Sequence, residues 1–184
     1  MSFSKTRLLL VFILLTVAVM LAMRWVDAQL RSAETACHIL GVKVDSPVLC
    51  FEFAWTNEKA DATLASWDEK TYYLTFGFGL DFLFLLLYPV TLFLVLQLIS
   101  KYVSPEWLKR LATFFAPAIL VSGLFDAMEN ICLLRYIFGH HDEWLLKAAG
   151  IFAGIKFAVL VVGGLIILPG LPTLFKVSWQ KFTQ

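Results

Sequence analysis

The chain has 184 residues, of which 60% are hydrophobic and 16% charged, with 17 Phe and a mean hydropathy of +0.79. Soluble domains carry about 25% charged residues, so the composition excludes an ordinary soluble domain and points to the bilayer. A formal net charge of +1, with Lys and Arg scattered along the chain, excludes the basic stripe that nucleic-acid binding needs.

Four apolar runs follow one another, at about residues 8–25, 72–99, 111–134 and 145–168. Each is long enough as a helix to cross a hydrocarbon core about 30 Å thick. Barrel strands would be short and alternating, whereas these runs are continuous, and only helices or closed barrels satisfy their own backbone in lipid. The expected fold is therefore all-α, a four-helix transmembrane bundle forming a single membrane domain over residues 1–184, with an outer loop at 26–71.

The first run follows Lys5 and Arg7, as a secretory signal would, and Val26-Asp27-Ala28 offers a weak cleavage context. The run is long for a signal core, however, and Arg24 and Trp25 end it like an interfacial anchor. Retention as the first span is the expectation. Pro89 and Pro117 fall inside the second and third runs, where neighbouring groups can repair the lost hydrogen bond.

Charge asymmetry orients the chain. Lys5, Arg7, Lys101, Lys109, Arg110, Lys176 and Lys181 flank one side against the single acid Glu106, whereas residues 27–71 hold eight acids against Arg31, Lys43, Lys59 and Lys70. The positive-inside rule then places both termini in the cytoplasm and the long loop outside. Trp25, Tyr72, Tyr73, Tyr102, Trp107, Trp144 and Trp179 fall near the run ends, as interfacial aromatics do.

The outer loop is too long to be a bare tether. Thr56 or Asn57 can cap a short helix through Ala60, Leu64 and Trp67. A second helical candidate runs from about Asp27 to His38 with Leu30, Ala33 and Cys37 on one side, and Ser46-Pro47 breaks the chain between the two. Cys37 and Cys50 share this loop, and a disulfide between them is chemically permitted if it is extracytoplasmic; Cys132 lies in the third run. His38, His140 and His141 match no closed metal-site spacing, and neither metal nor cofactor is expected.

The charges within the runs carry the sharpest functional information. Asp81 lies in the second, Asp126 and Glu129 in the third and Lys156 near the middle of the fourth, where ionisable groups are costly and usually serve a partner, a cavity or a pathway. Asp126, Glu129 and Asn130 share a helix face with Ser122 one turn earlier, and Asp81 and Tyr88 align on the second run. Lys156 is expected to face Asp81, Asp126 or Glu129 across the bundle. Three readings stay open: a polar core that binds or orients a lipid-like ligand or partner helix, a lipid or isoprenoid enzyme using paired carboxylates, or a component of ion or small-molecule transport. Membrane lipids are the expected partners, together with a protein partner or a second copy of the chain.

Small residues add packing information. Gly150 and Gly154 form a GxxxG element that permits close helix approach, Gly163-Gly164 recurs farther on, and Gly77 and Gly79 lie near Asp81. The Pro169-Gly170-Leu171-Pro172 stretch reads as the end of the fourth helix, with an interfacial tail at 174–182.

Phe51-Glu52-Phe53-Ala54 followed by Trp67, then Asp81-Phe82-Leu83-Phe84 with Tyr88, and Asp126-Ala127-Met128-Glu129-Asn130 together resemble an uncharacterised family of small bacterial four-helix membrane proteins, over residues 47–156. The resemblance implies a cell inner-membrane location and the same placement of polar residues, and it names no substrate. Acids in a small bundle are also distantly similar to sterol-isomerase-like membrane proteins, whose loop organisation differs. No phosphate-binding Gly loop, HExxH zinc motif or GxSxG elbow occurs, which disfavours the soluble enzyme classes those motifs mark.

Overall fold

Once water is removed, a backbone of this composition satisfies its own hydrogen bonds most economically as helix. In the computed structural model, which describes residues 3–31 and 37–182, the runs form α1 (Phe3–Leu30), α4 (Thr71–Tyr102), α5 (Glu106–Ile137) and α6 (Glu143–Phe182). The loop between α1 and α4 folds into strands β1 (Cys37–Ile39) and β2 (Val42–Val44), helices α2 (Pro47–Glu52) and α3 (Asn57–Ala65), and a 3₁₀ turn at Asp68–Lys70. All four long helices are long and apolar enough to cross a membrane. The fold is a four-helix transmembrane bundle with an ordered loop.

Every long helix outruns its apolar core, because flanking polar residues continue the backbone hydrogen-bond ladder beyond the hydrocarbon. The prolines do not stop it. Pro89 and Pro117 lie inside α4 and α5, and α6 continues through Pro169 and Pro172, so the helix end expected at residues 168–172 is not there. Gly170 has a packing role instead. A Cβ placed on it would lie 2.8 Å from the Cδ1 and Cγ1 of Ile99, so this glycine serves close packing rather than a turn. Ala33 lies outside the described residues, as do the side chains of Lys5, Lys176, Trp179 and Lys181.

The helix expected from Asp27 to His38 is also replaced. α1 ends at Leu30, and Cys37 and His38 belong to a hairpin in which Cys37 pairs with Val44, His38 with Lys43 and Ile39 with Val42. The turn residues Leu40 and Gly41 have φ of +50° and +80°, the pattern of a tight hairpin turn. Ser46-Pro47 starts a helix rather than merely breaking the chain. The Ser46 hydroxyl accepts from the Leu49 amide at 3.4 Å, and Pro47 occupies the first turn, where no backbone donor is needed.

The chain divides into two compact units. The loop-bearing unit comprises Val17–Leu85 and Phe125–Ile155. Its core is built on Val26, Leu30, Phe51, Trp67, Leu133 and Tyr136. Phe51 meets Trp67 and Tyr136 edge-on at centroid distances of 5.6 and 6.5 Å. The Trp67 indole N–H donates to the Leu30 carbonyl at 3.1 Å, satisfying an acceptor at the end of α1. A disulfide joins Cys37 to Cys50, with their Cα atoms 5.7 Å apart, and so ties the hairpin to α2.

Within this unit Gly150 of the GxxxG element packs against the loop between α2 and α3. It meets Trp55, whose φ is +61° and which is spanned by a hydrogen bond from the Thr56 amide to the Ala54 carbonyl at 2.8 Å, a strained γ-turn. A Cβ on Gly150 would lie 2.9 Å from the Trp55 ring, whereas one on Gly154 would meet nothing within 4 Å. Replacing helical Gly by Ala normally adds up to about 1 kcal/mol. Gly154→Ala should therefore be neutral or stabilising, and Gly150→Ala should cost about 1 to 3 kcal/mol through overpacking. Thermal unfolding in detergent, followed by the reaction of buried Cys132 with a thiol dye, reads both; equal midpoints for the two variants would refute the seat of Trp55 on Gly150.

The other unit comprises Leu86–Leu124 and the described parts of Met1–Thr16 and Lys156–Gln184. Leu96, Ile99, Leu108, Ala112, Ala116 and Ile119 form its core with Ile166. Small residues on α5 and Gly163 on α6 bring these helices close, since a Cβ on Gly163 would stand 2.7 Å from Ile119 Cδ1. Thr16 and Thr91 hydroxyls meet at 2.8 Å, so that one donates to the other while the acceptor's own proton goes to the carbonyl four residues back in its helix, Phe12 O or Leu87 O.

Candidate functional site

The third apolar run places its polar residues by helical spacing alone, and the fold then decides their surroundings. On α5, Asp126, Glu129 and Asn130 are 2%, 0% and 1% exposed. The Asn130 Nδ2 donates to Asp81 Oδ2 on α4 at 2.7 Å, so the loop-bearing unit contains a direct amide to carboxyl link between two membrane-spanning helices. Asp81 itself is half-buried. Removing so many polar groups from water is costly unless they are hydrogen-bonded or paired, and a low local dielectric strengthens the bonds that are made. The result is a buried polar cluster inside a helical membrane bundle.

A further residue of this kind is Glu52, which the sequence marks only as part of the Phe51–Ala54 motif. Glu52, the last residue of α2, is 7% exposed in the same unit, and its neighbour Phe51 belongs to the aromatic core. A lone acid between Phe51 and Phe53 was the available sign: an exposed acid would not need apolar residues on both sides. What the sequence could not show is that a six-residue helix begun by Ser46 and Pro47 would turn this side of the loop inward.

A second polar group lies where α3 meets the end of α5 and the 138–142 connection. Tyr136 donates its hydroxyl to Asp61 Oδ1 at 2.8 Å, and His141 Nδ1 lies 3.3 Å from the same oxygen. The His141 carbonyl accepts from Asn57 Nδ2 at 3.0 Å, and its ring stands edge-on to Tyr136 at 4.9 Å. Asn57 thus begins α3 and also fastens it to the 138–142 connection. Thr56 is the cap residue by position, but its side chain makes no capping hydrogen bond. His141 is occupied in this arrangement and His38 lies on the hairpin; no group of three or more His, Cys, Asp or Glu suited to a metal occurs among the described residues.

The remaining candidates belong to the other unit. The Tyr88 hydroxyl lies 3.4 Å from that of Ser122, which donates to the Ile119 carbonyl at 2.7 Å. Lys156 is buried, with its ammonium 4.8 Å from the ring centroid of Phe157, a cation–π distance. The structure therefore joins Asp81 to Asn130 directly and buries Asp126 and Glu129 beside Asn130 on the same helix, and Tyr88 and Lys156 are buried residues of the other unit.

No protein-family model, no curated protein and no solved structure matches the chain. Of the resemblance noted from the sequence, the four-helix membrane-spanning arrangement is what the structure carries.

Proposed function

We propose that this chain is a multi-pass membrane protein of the cell inner membrane whose buried polar cluster binds or orients a lipid-like ligand. The observation that carries the reading is the near-complete burial of Asp126, Glu129 and Asn130 on a membrane-spanning helix, with Asn130 bonded to Asp81. Carboxylates accept hydrogen bonds and an amide both donates and accepts, so the cluster suits a polar headgroup bearing hydroxyl or amine donors, with an apolar tail left to the bilayer.

A second reading, a membrane-embedded lipid or isoprenoid enzyme, is favoured by one feature: Asp126 and Glu129 are both buried within a single helical turn, and carboxyls held out of water can be tuned into acid and base roles. Purification in native nanodiscs followed by mass spectrometry of bound lipids and proteins tests both. A binding protein yields an unaltered lipid at defined stoichiometry, an enzyme yields turnover when lipid extract is added, and a chain that retains neither lipid nor protein overturns the proposal.

The charge distribution further supports cytoplasmic termini and an outer position for the 26–71 loop. In intact cells a thiol probe at Glu58→Cys should react from outside, while one at Glu106→Cys should stay protected; Glu58 and Glu106 are both exposed. Reaction at residue 106 with protection at 58 would reverse the orientation.

A further inference from the structure

The hairpin between α1 and α2 ends in an apolar tip that the folded chain does not use. Leu40 is 99% exposed and Val42 65%. Leu40 also holds a φ of +50° beside Gly41 at +80°, in a turn position that ordinarily favours Asn, Asp or Gly because larger side chains are strained there. A branched apolar residue is thus held outward against both solvation and backbone preference. Strain of this kind is retained where it serves a contact.

The base of the hairpin sets how far from the membrane boundary its tip can lie. Asp27, in the last turn of membrane-spanning α1, accepts from the Ser46 hydroxyl at 2.9 Å and from the Val48 amide at 3.2 Å. Cys50 of α2 is disulfide-bonded to Cys37 at the start of β1. Two residues before Asp27, exposed Trp25 meets Tyr73 edge-on at 5.6 Å, an aromatic pair at the ends of two membrane spans. Such aromatics mark the membrane–water boundary. Each strand of the hairpin has three residues, so the tip stands about 10 Å from a base anchored at that boundary. The flanking charges suit the same surface: His38 and Lys43 are paired across the strands and exposed, with Lys43 3.7 Å from Asp45. An apolar tip beside a basic side chain is the pattern of segments that enter the headgroup region.

We propose that the Leu40–Val42 tip is a lipid-surface contact, inserted among the headgroups of the leaflet from which the loop emerges, and that it fixes the hairpin and the α2 helix tied to it against the membrane.

The test places an environment-sensitive fluorophore on the full-length Leu40→Cys variant. Cys37 and Cys50 are bonded and Cys132 is buried, so the new thiol is the accessible one among the described cysteines. The protein is reconstituted into vesicles of phosphatidylethanolamine and phosphatidylglycerol, with or without lipids that carry a quencher at the upper acyl chain. The expected result is blue-shifted emission at residue 40 that the lipid quencher reduces at least about threefold more than it reduces the same probe at Glu58→Cys on α3. Red-shifted emission insensitive to the lipid quencher would show the tip in water and overturn the proposal. Blue-shifted emission that lipid quenchers do not touch would place the tip against a second copy of the chain, and would overturn it equally. A Leu40→Ser variant should leave the thermal midpoint in detergent unchanged, because the side chain makes no packing contribution there, but should increase hydrogen exchange of the hairpin amides severalfold in vesicles.

Discussion

Trp67→Ala should be the most damaging single truncation in the loop-bearing unit. The indole is almost fully buried, meets Phe51 edge-on at 5.6 Å and donates to the Leu30 carbonyl at 3.1 Å. Truncating a buried aromatic of this size typically costs about 3 to 5 kcal/mol, and the carbonyl at the end of α1 loses its partner as well. For a chain of this length that corresponds to a fall in thermal midpoint on the order of 10 °C. Protection of Cys132 from a thiol dye provides the readout, because Cys132 belongs to the same core. Trp67→Phe should recover the packing and lose mainly the hydrogen bond, so its fall should be less than half as large. A midpoint within about 2 °C of the parent for Trp67→Ala would mean that the loop is not part of the unit's stability.

The second large effect concerns the polar cluster. Asp126→Asn and Glu129→Gln keep the volume of their side chains while replacing a carboxyl by an amide at positions that are 2% and 0% exposed. An amide keeps one acceptor oxygen where a carboxyl has two, and in a water-poor site the loss of an acceptor passes to whatever is bound. We expect the lipid that co-purifies with the parent to fall at least about tenfold in each variant, equivalent to about 1.4 kcal/mol, with Asp81→Asn showing the same direction. Cys132 protection should persist at room temperature, which separates loss of ligand from loss of fold. Folded variants with full lipid occupancy would remove the cluster from the binding site. Full occupancy with loss of product formation would instead establish the enzymatic reading.

Much of the architecture is local in origin and was therefore legible. The four spans follow from uninterrupted apolar runs, because a helix in lipid needs nothing from elsewhere in the chain to satisfy its backbone. The passage of α4 and α5 through Pro89 and Pro117 follows from the same runs. Asp126, Glu129 and Asn130 share a face because three and four residues make about one helical turn. Short-range pattern also contained the hairpin, in the alternation of Val42-Lys43-Val44 after Gly41, but the apolar spacing of Leu30, Ala33 and Cys37 read more strongly as helix.

What the sequence determined by itself was thus the number of spans, their helical state and the presence of acids within them. The tertiary structure alone decided which partner each residue met. Glu52 is buried at the end of an α2 helix whose Phe51 packs with Trp67 and Tyr136; Asp61, an ordinary loop acid by sequence, receives the Tyr136 hydroxyl from 75 positions away. Gly150 was readable as a helix-contact glycine and is instead the seat of Trp55, while Gly170 was readable as a helix stop and is the point where Ile99 approaches. The physical reason is the same in each case: backbone conformation in a membrane is set within a few residues, whereas burial and hydrogen-bond partners depend on side chains brought together from distant parts of the chain.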